Sequence, residues 1–213
     1  MCFSAQSSFA AATVLTGIGF VSLRQVRKFP KYFMLASVPL IFALQQASEG
    51  IVWLTMNNPQ YAWLHQLAGL LFIIIAQVIW PIFIPLSLLM LETQAYHKKV
   101  LSVFGVLGAM VSGYSAFSLI RSPMIITIAC NSISYDFLHT PLSLQDTYLF
   151  IYTIPVVMSF FISELKLGWV LGSSLLAALA ISWIFKSAAL GSVWCFCAAI
   201  LSVLVVVALK KEL

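Results

Sequence analysis

The chain has 213 residues, of which 62% are hydrophobic and 8% charged, and its net charge is +5. An ordinary soluble domain carries about 25% charged residues, so a water-soluble fold is excluded: it could not bury this much apolar surface. The basic excess does not point to nucleic acid, because Lys and Arg sit in short clusters between apolar stretches rather than along one solvated face.

A membrane-spanning helix needs about 20 mostly apolar residues. The chain therefore has room for seven or eight spans with short loops, and residues 1–213 are expected to form one transmembrane helical domain. Taken in order, the first apolar segment covers residues 8–23 and ends at Arg24, Arg27, Lys28 and Lys31. No basic residue precedes it, so it does not read as a secretory signal. The second covers 33–54 and ends in the turn Met56-Asn57-Asn58-Pro59. The third, 62–91, is long, and Pro81 and Pro85 predict a kink near Trp80. Glu92, His97, Lys98 and Lys99 follow it. The fourth covers 100–120 and stops at Arg121-Ser122-Pro123. The fifth, 147–162, contains Pro155; the sixth covers 167–185, and the seventh covers 190–209 before Lys210 and Lys211. Unbroken apolar runs specify helices rather than the alternating strands of a barrel. The expected fold is thus all-α, a polytopic bundle of about seven spans.

Basic residues set the orientation. Arg24, Arg27, Lys28, Lys31, Lys98, Lys99, Lys166, Lys210 and Lys211 fall on one side, and Arg121 and Lys186 on the other. This bias puts the N-terminus outside and the C-terminus in the cytoplasm, with a bacterial inner membrane as the expected location. Residues 122–146 form an outer loop in which Ile126, Ile128 and Cys130, then Ile133 and Tyr135, alternate with small or polar residues about Asn131. That pattern predicts either a hairpin lid or an irregular loop.

Glu49 is the most informative residue. It lies inside the second segment, and carboxylates within membranes usually face the bundle interior. Gln45 and Glu49 are spaced i, i+4, and Gln46, Glu49 and Trp53 are spaced i, i+3, i+7, which makes a polar stripe on one helix side. His65 and the pair Trp194-Cys195 are expected at a similar depth, with Cys2 on the same side. Cys2, Glu49, His65 and Cys195 therefore form a candidate zinc-ligand set by chemistry, although no ligand spacing motif supports it. In an oxidising compartment Cys2 could instead pair with Cys130 or Cys195. Tyr148 and Tyr152 are candidates to line an outer cavity with Gln45, Gln46, Trp53 and Trp194.

Met1-Cys2-Phe3-Ser4-Ala5, Gln45-Gln46 with Glu49-Gly50 and Trp53, Trp80-Pro81, and Ser192-Val193-Trp194-Cys195-Phe196 form an ordered set. In these motifs the chain resembles an uncharacterised bacterial multi-pass membrane family that begins MCFSA. The resemblance spans nearly the whole chain and implies no mechanism, but it implies that Cys2 and Trp194-Cys195 belong with the polar stripe in one site. Seven spans with an outer N-terminus are also similar to ceramidase-like and progestin-receptor-like zinc hydrolases. Here, however, the histidines are only His65, His97 and His139, which argues against a three-histidine zinc site.

Three functional expectations follow. The first is an outer-half pocket for a small apolar or lipid-like molecule, with Glu49 or His65 as general base if it is an enzyme. The second is a proton-coupled transporter or channel using Glu49, for which Gln77 is the obvious stepping stone in the inner half. The third is a structural or assembly protein whose polar stripe holds helices together. The bilayer is the one partner the composition specifies; oligomeric state has no sequence signal.

Overall fold

A computed structural model describes residues 4–129, 132–137, 142–186 and 190–213, without the side chains of residues 129, 137, 142–146, 185–186 and 191. The described residues form a helical bundle carrying one β-hairpin. The helices are α1 (Ala5–Gln25), α2 (Phe33–Thr55), α3 (Ala62–Ile73), α4 (Trp80–Leu89), α5 (Ala95–Arg121), α6 (Leu142–Thr153), α7 (Ser159–Ile162), α8 (Gly168–Lys186), α9 (Leu190–Leu201) and α10 (Val203–Glu212). Among the described residues, five helical stretches are long and apolar enough to cross a membrane: Ala5–Gln25, Pro30–Thr55, Pro59–Leu89, Ala95–Arg121 and Ser192–Glu212. Thr147–Ile162 and Gly168–Ile184 are apolar but shorter.

α1 packs along α2, α4 along α5 and α8 along α9, while α10 returns beside α1 and α2. At Gly19 a Cβ would overlap the Leu40 side chain, so the α1–α2 approach needs glycine there. The outward faces of α1 and α5 carry exposed Val14, Phe20, Val21, Val103, Val106, Met110 and Phe117. Water would penalise faces this apolar, whereas lipid tails solvate them.

Proline explains the irregular middle of the third segment. Pro81 has no N–H for the helical ladder, and the break expected near Trp80 takes the form of a π turn at Ile74–Ile79, immediately before α4. Neighbouring helices meet the carbonyls there. Tyr152 Oη donates to Ala76 O (2.6 Å) and Ser112 Oγ to Val78 O (2.6 Å). Pro85 similarly leaves Pro81 O without its partner in the ladder, and Gly108 of α5 lies directly against that carbonyl. A second π turn, Ile154–Met158, contains Pro155. The seventh segment, expected as one run, is interrupted between α9 and α10 at Ser202, whose hydroxyl donates to Ala199 O (2.6 Å).

Tyr152→Phe removes the donor from the buried Ala76 carbonyl. It should destabilise the bundle by roughly 1–3 kcal/mol, the magnitude for orphaning a buried backbone acceptor. Thermal unfolding in detergent measures this, and an unchanged midpoint would mean that the carbonyl finds another donor.

β1 (Met124–Ala129) and β2 (Ser132–Phe137) pair antiparallel with Ile126 opposite Tyr135. The connecting residues, Cys130 and Asn131, lie outside the described set. Ile133 is fully buried with Val52 of α2 and Ala68 of α3, and Tyr135 stacks on Phe72 with centroids 4.7 Å apart. At Gly69 a Cβ would meet the Ile126 side chain, so the hairpin sits tightly on α3. The hairpin thus covers the ends of α2 and α3 next to the buried polar residues described below.

Candidate functional site

α2 places Gln45, Gln46 and Glu49 on its buried side, each with zero exposure. Their i, i+1, i+4 spacing makes this a helix-face property, readable from sequence. Their partners come from distant elements. Ser192, in the first turn of α9, donates through Oγ to Glu49 Oε1. Glu49 Oε2 accepts from Gln46 Nε2 at 3.5 Å. Trp80 Nε1, at the start of α4, donates to Gln45 Oε1 at 3.0 Å, and Gln45 also meets the Cys195 thiol one turn past Ser192. Two glutamines and a carboxyl are thereby tied to α4 and α9. In a bilayer such bonds matter because lipid offers no competing donor.

Beside this cluster lies an apolar crevice. Its walls include Phe42, Trp80, Tyr152, Leu175, Trp194 and Ala198, and it continues past Val38 and Val205. The open space is ≈ 50 Å³, more than the roughly 10–15 Å³ that admits one water and less than the roughly 150 Å³ of a cavity that holds benzene. Trp80 and Cys195 belong both to the crevice wall and to the polar cluster, through Gln45. A ladder of rings leads inward: Tyr114 to Tyr148 (6.1 Å), Tyr148 to Tyr152 (5.9 Å) and Tyr152 to Trp194 (5.6 Å, edge-to-face). Tyr114 is exposed and Trp194 buried, so the ladder runs from the bundle's outside to the crevice.

The residues singled out by sequence divide into those that meet and those that do not. Gln45, Gln46, Glu49 and Cys195 come together, with Trp194 and Tyr152 on the adjoining crevice. Tyr148 stands one ring further out, its hydroxyl 2.8 Å from Ser115 Oγ. Trp53 instead packs with the hairpin cluster, and its Nε1 is buried without a hydrogen-bond partner among the described residues. His65 is not brought to Glu49. Its Nδ1 lies 3.1 Å from Thr55 Oγ1, and Thr55 is about 9 Å further along α2 than Glu49 at 1.5 Å rise per residue. His65 and Gln66 line a surface hollow with Asn57 and Asn58. Cys195 is a buried free thiol. Cys2 and Cys130, considered as its partners or as a metal ligand, lie outside the described residues, as does His139.

Two partners stood in the ordered motifs of the sequence but with no role of their own there. Ser192 is an ordinary small residue at a helix start, 143 positions from Glu49. Trp80 reads as a residue beside a kink, and only packing reveals that its N–H is aimed at Gln45.

A second cluster sits at the opposite, lysine-rich loop end. Glu92, between α4 and α5, is buried; His97 is in the first turn of α5; Glu164 lies between α7 and α8. Hydrogen bonds from the Thr93 hydroxyl (2.8 Å) and N–H (3.3 Å) hold the Glu164 carboxyl below its usual titration range. Among the described residues, these three form the group whose His and carboxylate ligand atoms all lie within 4.8 Å of one another.

A family model described as a family of unknown function (DUF6629) matches residues 1–212, and the chain belongs to that family. No curated protein matches the chain, and no solved structure matches it.

Proposed function

We propose that this member of a family of unknown function is a seven-span protein of the bacterial inner membrane that binds a small apolar or lipid-like molecule in the crevice beside Gln45 and Glu49. In this reading the N-terminus is outside and the C-terminus cytoplasmic, as the basic clusters require. Thr147–Ile162 and Gly168–Ile184 supply the two spans beyond the five long ones. The observation that carries the proposal is the crevice itself: nearly all-carbon walls, two tryptophans, and one wall joined through Trp80 and Cys195 to a buried amide and carboxyl. Binding sites combine apolar walls with a few oriented polar groups in this manner. The open volume suits the end of an alkyl chain, with the polar part of the ligand towards Cys195 and the hairpin as a cover.

A photoactivatable fatty acid, crosslinked to the protein in vesicles and mapped by peptide mass spectrometry, tests this. Labelling should concentrate on α8 and α9 near Leu175 and Trp194, and should fall several-fold in Ala198→Phe, which fills the crevice. Labelling confined to the lipid-facing sides of α1 and α5 would remove the proposal.

One observation favours a second reading, a purely structural clamp: both Glu49 oxygens are already hydrogen-bonded within the bundle. Glu49→Gln separates the two readings, as set out in the Discussion.

A further inference from the structure

We propose that Glu92, His97 and Glu164 form a binding site for one divalent transition-metal cation of the zinc class, at the loop end opposite the polar cluster. The inference is independent of the ligand reading above.

Each carboxylate commits one oxygen to holding the loops. Glu92 Oε1 accepts from Ser163 Oγ (2.7 Å) and from the Glu164 N–H (2.9 Å). Glu164 Oε2 accepts from the Thr93 hydroxyl and N–H. The other two oxygens converge on the imidazole: Glu92 Oε2 is 3.4 Å and Glu164 Oε1 3.7 Å from His97 Nδ1. Zinc bonds N and O ligands at about 2.0–2.2 Å, so neighbouring ligand atoms of a tetrahedron lie roughly 3.3–3.6 Å apart. The observed separations are close to that edge length. Hydrogen bonds that pin the non-ligating atom of each ligand are the usual support of a metal site, and here both carboxylates have them before any metal is considered.

A second observation points to a cation. The Glu92 side chain has zero exposure, and its Oε2 accepts no hydrogen bond among the described residues; nor does His97 Nδ1 take part in one. A buried carboxylate oxygen without a donor is strongly unfavourable unless a positive charge faces it. No lysine or arginine pairs with either carboxylate among the described residues. Lys166, the nearest in sequence, turns its ammonium to the Lys211 carbonyl instead. One imidazole with two carboxylates suits zinc-like ions. His97 and Glu164 remain about a quarter to a third exposed, which leaves an entry path and a position for water. The competing occupant is a proton, with imidazolium bridging the two carboxylates.

The test is zinc binding by the purified full chain in detergent, stripped with chelator and followed by equilibrium dialysis with elemental analysis. The expected result is one zinc per chain, weakened at least 10-fold in His97→Gln and in Glu164→Gln. Glu164 is solvent-facing, so its variant should fold even if a Glu92 variant does not; gel filtration checks this. Glu49→Gln and Cys195→Ala should bind zinc as wild type does. Failure of the wild type to bind one zinc per chain would overturn the proposal in favour of the protonated pair. Undiminished binding by folded His97→Gln or Glu164→Gln would overturn it as well.

Discussion

Gly108→Ala is expected to destabilise the bundle strongly, whereas Gly113→Ala, five residues further along the same helix, should be nearly silent. Both are small-for-small changes on α5, and both replace glycine with a better helix former. They differ in what a methyl group would meet. At Gly113 nothing among the described residues lies within 4 Å of such a methyl group. At Gly108 a Cβ would overlap the Pro81 carbonyl, with the carbonyl carbon at 2.6 Å. The obstacle is backbone, so no side-chain rotation relieves it, and α4 and α5 must separate. Separation would also strain the Ser112–Val78 bond one turn away and the packing that buries Trp80. Overpacking a core usually costs about 1–3 kcal/mol, and a rigid carbonyl puts this case at the upper end or beyond. Thermal unfolding of the two variants in detergent, read by gel filtration after heating, checks the contrast. Equal midpoints would mean that α4 and α5 do not meet at this glycine.

The second large effect is at Glu49. Glu49→Ala should destabilise the chain by roughly 2–5 kcal/mol, because the Ser192 hydroxyl and the Gln46 amide each lose a buried acceptor at about 1–3 kcal/mol apiece. Glu49→Gln keeps the shape and one carbonyl acceptor, and it removes the ionisable group that is expensive inside a bilayer. Its stability should therefore stay within about 1 kcal/mol of wild type. Stability and fatty-acid labelling measured on the same two variants discriminate between roles. A stable Glu49→Gln that labels normally leaves the carboxyl as a helix clamp. A stable Glu49→Gln that loses labelling makes the ionisable group part of the ligand site. A Glu49→Ala variant as stable as wild type would contradict the buried hydrogen-bonded geometry itself.

Much of this architecture was legible residue by residue. The apolar segments stand out because lipid-facing and buried helix faces are both apolar, so charge other than Glu49 gathers at or near the turns. The observed helices extend the expected runs by a few residues, as at Ala5–Gln25 and Ala95–Arg121, because caps and polar ends such as Arg24 and His97 still carry helical backbone. The alternation about Asn131 matched a two-strand pattern, and Met124–Ala129 does pair with Ser132–Phe137. The stripe of Gln45, Gln46 and Glu49 was readable because helical spacing makes neighbours of i and i+4. His65, a candidate companion of Glu49 by depth alone, lies against Thr55 instead, because similar depth in a membrane says nothing about the angle at which a side chain leaves its helix.

What the sequence by itself determined is therefore whatever depends on local period and on the solvent: helices rather than strands in the apolar runs, a break at the Trp80-Pro81 step, and a buried polar face on the second helix. Tertiary structure alone decided which groups satisfy one another. Ser192 reaches Glu49 across 143 positions, Tyr152 and Ser112 meet the carbonyls of the π turn, and Glu92 and Glu164 converge on His97 from loops 71 or more positions apart. The physical reason is that period and hydropathy are properties of one helix. A hydrogen bond or a ligand set between helices depends on their rotation and vertical offset, and these are set by close contacts such as Gly19 on Leu40 and Gly108 on Pro81 that no single segment encodes.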